Sequence, residues 1–162
     1  MQSMDSVRPD WNADESSPAF LLAEEAVRCI LEKKGEAIVL LDLRERSDVC
    51  DFFLICTGHT DVQTTAIARA VQEGLEARGH EKPHVEGLPE GRWVLLDYFD
   101  VIVHIFQPDT RRYYLLERLW GDAPRLEIPE DYFADVDVQR RHPQSSAPGP
   151  AAGTGSEEPE TA

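Results

Sequence analysis

Four residues could assemble a nucleophilic centre. Cys56 closes one apolar run, His104 sits inside another, and Asp97 and Asp100 lie just ahead of it, the residue types of a Cys-His-Asp arrangement. Alternation with period two argues for a plainer role. Ile102, His104 and Phe106 fall on one face of their run and Val101, Val103 and Ile105 on the other, so His104 reads as a histidine on a packed or partner-facing sheet surface. Metal chemistry fares no better: Cys50 and Cys56 flank an apolar run with no CxxC spacing, and His59 stands apart from His80 and His84, whose i, i+4 spacing is interrupted by Pro83 and has no cysteine beside it. Thr57-Gly58-His59-Thr60 leads from a strand into a helix N-terminus, a geometry that can hold phosphate. With one glycine and neither GxGxxG nor GKS/T, it reads as a tight capped turn. No catalytic, cofactor-binding or metal-ligating residue is therefore expected.

The elements that would position these residues follow from capping and periodicity. Ser17-Pro18, then Phe20, Ala23, Val27, Ile30 and Leu31, predict a capped helix that ends at Lys33-Lys34 with Gly35 as its C′ residue. Ala37 to Leu43 and Asp51 to Thr57 carry no polar face and predict two buried strands. Thr60 and Gln63 form a capping-box pair ahead of a stripe of Val62, Ala66, Ile67, Ala70, Val71 and Leu75, closed by Gly79. Arg92 to Asp97 and Val101 to Phe106, separated by Tyr98-Phe99-Asp100, predict an antiparallel hairpin, and Thr110 to Trp120 a last short helix. The order leaves room for a short strand ahead of the hairpin. It implies an α/β fold whose mixed sheet, parallel plus antiparallel, carries packed helices.

Composition bounds the function. The chain of 162 residues, 41% hydrophobic and 29% charged, suits one folded domain. Thirty-one acidic residues against sixteen basic ones give a formal charge of −15, which repels phosphate backbones and attracts basic partners, so autonomous nucleic-acid binding is not expected. No apolar run approaches the ~20 residues of a membrane span. Asp5, Asp10, Asp14 and Glu15 against Arg8 do not resemble a secretory signal or an Arg-rich presequence. Three cysteines in apolar surroundings read as reduced core thiols, and a cytoplasmic location is expected. Residues 1–15 and the acidic, Pro/Ala/Gly-rich residues 129–162 have too little apolar content to offset their ordering entropy and are expected to be disordered, leaving 16–128 as the folded unit.

Residues 91–123 are the informative segment, because they hold seven of the thirteen aromatic residues beside Arg92, Arg111, Arg112 and Arg118. Trp, Tyr and Arg dominate binding energy at protein interfaces. On a continuous last helix Tyr113, Leu116 and Trp120 would share one face, and Arg112, Leu115 and Leu119 the neighbouring one.

The same residues carry a resemblance. Asp51 to Gly58 (DFFLICTG) before the capped helix, Glu86-Gly87, Gly91 to Val101 (GRWVLLDYFDV), Val103 to Phe106 (VHIF) and Thr110 to Ala123 (TRRYYLLERLWGDA) are similar, in order and spacing over about residues 18–127, to the Iojap-like ribosomal silencing factors. Phe99 stands where that family usually has Gly, and Gln107 where it usually has His before Pro108. The resemblance implies a fold related to nucleotidyltransferases without their catalysis, and this chain lacks a Gly-Ser followed by Asp-x-Asp, the order that would hold two metal ions. It implies a non-enzymatic factor, needing no cofactor, that binds large ribosomal subunit protein fourteen on the subunit-joining face. There it would exclude the small subunit and repress initiation when nutrients are short; a large-subunit assembly factor using the same docking surface and, behind it, a nucleotidyltransferase-like enzyme using Asp97, Asp100 and His104 are the alternative readings. Trp93, Tyr98, Asp100, Arg112, Tyr113 and Trp120 are the expected partner-binding residues, the aromatics as anchors and Asp100 and Arg112 as polar contacts. Free of its partner, such a surface is expected to form a homodimer.

Overall fold

The computed structural model describes residues 17–134, so the expected tails lie outside the described residues except for 129–134. Helix α1 spans Pro18–Glu32. Its cap is the predicted one: Ser17 Oγ accepts from the Phe20 N–H at 3.1 Å, with Pro18 in the first turn. The end differs from expectation. Lys34, not Gly35, takes the left-handed conformation, φ 61°, while the N–H groups of Gly35 and Lys34 donate back to the carbonyls of Ile30 and Leu31. Gly35 matters for packing instead, since a Cβ there would lie 2.3 Å from Ile30 Cγ2.

Strands β1 (Glu36–Asp42) and β2 (Phe52–Thr57) follow, then helix α2 (Asp61–Ala77). Thr60 Oγ1 caps α2 by accepting from the Gln63 N–H, but the Gln63 side chain reaches His59 N rather than closing the box on Thr60. Its amide also donates to the carbonyls of Lys33 and Lys34, tying the start of α2 to the end of α1. The buried stripe is Thr64, Ile67, Ala68, Val71 and Leu75, and Val62 is exposed. Gly79 ends the helix at φ 94° as predicted.

Strands β3 (His84–Glu86), β4 (Trp93–Asp97) and β5 (Val101–Phe106) come next, β3 filling the place left ahead of the hairpin. The last predicted helix is broken. Helix α3 is Pro108–Tyr114 and α4 is Leu116–Leu119, with Leu115 between them at φ 50°, ψ 51°. No Gly or Pro requires that break. It accompanies the packing of Leu116 and Trp120 on the sheet and an ion pair from Arg111 to Glu117. The chain then adds a strand the sequence did not announce, β6 (Arg125–Ile128). Residues 131–134 belong to a second unit and form one turn, closed by the Ala134 N–H on the Asp131 carbonyl.

The sheet order is β3-β4-β5-β2-β1-β6. β2 and β5 pair in parallel through the α2 crossover, and the other four pairings are antiparallel. The mixed α/β sheet with packed helices is thus the one expected. One sheet face carries Phe52, Leu54, Val94, Leu96, Val101, Val103 and Ile105, all fully buried, and α1 and α2 lie over it. The opposite face is covered unevenly, and that unevenness places the site.

Candidate functional site

Burial along β4 alternates: Val94 and Leu96 are sealed beneath the helices, while Trp93, Leu95 and Asp97 are half-exposed. Registers carry that second face across the sheet, from Trp93 and Leu95 to Phe106 and His104 on β5, then to Ile55 and Phe53 on β2 and Val39 and Leu41 on β1. At the β1 end it is closed by Leu43, Cys50 and Ala123. At the β4 end, Trp93, Leu95 and Phe53 stay partly open beside Leu116 and Trp120. Beyond them stand three large exposed side chains, Tyr113 (79%), Tyr114 (50%) and Leu119 (72%). The result is an aromatic surface of contacting rings. Trp93 packs on Phe106 with centroids 4.9 Å apart and on Tyr114 at 4.7 Å; Tyr114 meets Tyr113 edge-on at 5.0 Å, and Phe53 meets Trp120 at 6.1 Å.

The expected partner-binding residues divide on this geometry. Trp93 and Tyr113 line one open cleft of about 510 Å³ with Tyr114, Glu90, Arg92 and Asp109. Trp120 lies on the same face against Phe53. Arg112 is exposed at the rim and ion-paired with Asp109. Asp100 is exposed at the hairpin tip, where its carbonyl accepts from the N–H groups of Asp51 and Phe52. Tyr98 is set apart from this group, lining a separate recess with Leu22, His80 and Lys82 on the α1–α2 side of the hairpin, and burial pushes its phenol pKa upward. Leu95, Phe53, Tyr114 and Leu119 join the surface without having been expected there. Alternation in β4 was the available sign for Leu95, and aromatic crowding and the helix face shared with Arg112 were those for Tyr114 and Leu119; nothing local marked Phe53.

The catalytic arrangement does not form. His104 faces the aromatic side, while Cys56, one residue beyond its neighbour Ile55, projects into the helix-covered side, so the sheet separates them. Cys56 is wholly buried, and burial pushes its thiol up to about 12. His104 accepts from Trp93 Nε1–H through Nδ1 at 3.1 Å and packs edge-on against Phe53 at 4.4 Å; burial lowers its pKa to about 3. The ring is therefore neutral with its proton on Nε2, which finds no hydrogen-bond partner among the described residues. The turn before α2 has its donors engaged: Gly58 N–H on the Phe106 carbonyl, His59 N–H on Gln63, and Gln63 N–H on Thr60. Among the described residues, no three His, Cys, Asp or Glu side chains gather as a metal site, and no helix is long and apolar enough to cross a membrane.

An open face of contacting aromatic rings has the composition of a recognition surface. The family model described as ribosomal silencing factor during starvation matches residues 14–154. The chain belongs to that family. Among its relatives is the ribosomal silencing factor RsfS of Halalkalibacterium halodurans, 44% identical over 107 residues that cover 66% of this chain and 92% of the relative. RsfS of Bacillus subtilis is 46% identical over 60% of this chain and 82% of its own length. The chloroplastic protein Iojap of Zea mays is 32% identical, with 76% of this chain matched to 54% of the plant protein. A crystal structure of a Chromobacterium violaceum protein superimposes with a TM-score of 0.63 at 32% identity, covering 65% of this chain and 88% of that one. The two family departures seen in the sequence have local consequences. Phe99 holds the hairpin turn at φ 78° with its ring 80% exposed, and Gln107 enters α3 without a side-chain cap, its amide donating instead to the Gly91 carbonyl.

Proposed function

We propose that this protein silences ribosomes by docking its aromatic face on large ribosomal subunit protein fourteen, at the subunit-joining face, where it sterically excludes the small subunit and represses initiation under nutrient limitation. The observation that carries the reading is the continuous surface of Trp93, Leu95, Phe53, Tyr114 and Trp120, bordered by exposed Tyr113 and Leu119, in a member of the silencing-factor family. A surface that leaves large rings and a leucine in water is stabilised when a partner covers it, and Trp and Tyr are the side chains that anchor such contacts. The net charge of −15 steers the protein toward a basic ribosomal protein and away from surrounding rRNA phosphates. Blocking of this kind needs no turnover, in keeping with a sheltered Cys56 and a neutral, buried His104.

Sedimentation with purified large subunits, followed by addition of small subunits, tests the reading. Wild-type protein is expected to pellet with large subunits and to prevent their association. Tyr113→Ala with Leu119→Ala is expected to weaken binding by about tenfold or more while the folded sheet persists, because both side chains are mostly exposed. Normal subunit association at saturating protein would refute it.

A further inference from the structure

The segment that presents Tyr113 and Leu119 is weakly anchored by apolar packing, since no residue of α3 or α4 is buried and Leu116 and Trp120 reach the sheet at half-burial. Arg111 supplies what packing does not. Its side chain is 12% exposed and its guanidinium makes four hydrogen bonds in two directions. Toward the sheet, Nη1 donates to the Ala37 carbonyl at 2.8 Å and to Thr57 Oγ1 at 2.7 Å. Across the Leu115 break, Nε and Nη2 form a two-pronged pair with Glu117 at 3.1 and 2.8 Å. Arg125 approaches the same carboxylate at 3.6 Å. Burial raises the Glu117 carboxyl, and the hydrogen bonds and charge of Arg111, with Arg125 behind, outweigh this and hold it below the usual carboxylate range.

We infer that Arg111 is a positioning residue for docking: it clasps α3 to α4 and both to the adjoining ends of β1 and β2, fixing Tyr113 and Leu119 in one arrangement before the partner arrives. The inference rests on the docking reading above and adds to it a residue that touches no partner. Its neighbour Arg112, exposed and paired with Asp109, has no such reach. A clasped segment has already lost conformational freedom that docking would otherwise have to remove, so the clasp acts on affinity more than on global stability. Arginine is required because a lysine is a point charge and cannot engage two oxygens of Glu117 and the ends of β1 and β2 together.

Hydrogen exchange on the free full-length protein is the first test. Arg111→Met is expected to speed exchange of amides in residues 108–120 by about tenfold or more, while residues 61–77 keep wild-type protection. In sedimentation with large subunits the same variant is expected to bind about tenfold more weakly, with Arg111→Lys recovering part of the loss. Combined with Tyr113→Ala, the losses should be less than multiplicative, because a contact already misplaced cannot be lost again in full. Ile67→Val, in the core under α2, lowers stability and should leave docking intact. Unchanged exchange over 108–120, fully multiplicative losses, or an equal docking loss in Ile67→Val overturns the assignment. Wild-type protein that fails to sediment overturns the docking reading instead, a result kept distinct because exchange still compares Arg111→Met with wild type.

Discussion

His104 is held neutral by its surroundings, and this has a consequence for stability. An unfolded histidine takes up a proton near pH 6.5, whereas the folded ring, buried under Phe53 and Trp93, remains neutral down to about 3. Between those values the unfolded chain binds more protons, so stability contributed by His104 is complete above about pH 6.5 and drains away as pH falls toward 3, by up to about 1.4 kcal/mol per pH unit. His104→Gln can keep an acceptor for the Trp93 indole while removing the titration. Urea unfolding at pH 7.5 and 5 should therefore show wild type losing about 1 to 2 kcal/mol more than the variant on acidification. Equal losses would mean that protonation of His104 is not resisted by the fold. The face on which this residue lies was legible from alternation over Val101–Phe106; its partner was not, because Trp93 reaches it only through the register of the hairpin.

Elements defined by local chemistry were the legible ones. Ser17 and Thr60 announce α1 and α2, and the two apolar runs around Tyr98-Phe99-Asp100 announce the hairpin. The short strands β3 and β6 exist through pairing with β4 and β1, partners that their three and four residues cannot reveal. The break at Leu115 escaped notice for a related reason: it is stabilised by Arg111 reaching Glu117 and the sheet, contacts that override a locally helical sequence. Where α1 crosses α2 the deciding residue is small. A Cβ on Gly74 would lie 2.4 Å from Cys29 Sγ and 4.0 Å from its Cβ, so sulfur alone stands in the way. Gly74→Ala is expected to cost about 1 to 3 kcal/mol by forcing the helices apart. Adding Cys29→Ala should return most of that, helped by the ~1 kcal/mol helix preference of Ala over Gly. Thermal melts of the single and double variants check the coupling, and simple additivity would mean that the helices yield without strain.

At the scale of the whole molecule, the site is a by-product of incomplete cover: α1 and α2 seal one side of a six-stranded sheet, and a short broken helix reaches part of the other. The sequence shows aromatic crowding in residues 91–123 but not which rings remain open, since Trp93, Tyr98 and Trp120 are all half-buried and leave the sheet region in different directions. The charge is legible throughout, and it separates two contributions to the proposed docking. The field of −15 acts before contact and is cut as the screening length shortens from about 10 Å at 0.1 M salt to about 3 Å at 1 M. Aromatic contact acts after arrival and depends little on salt. Association with large subunits should therefore slow several-fold as salt is raised from 0.1 to 0.5 M, with dissociation nearly unchanged. Tyr113→Ala should do the reverse, speeding dissociation at every salt concentration while leaving the salt dependence of association as it was. Stopped-flow measurements under conditions that keep the subunits intact distinguish the two. A dissociation rate that climbed steeply with salt would place the binding energy in ion pairs at the rim, such as those of Asp109 and Arg112, rather than in the rings behind them.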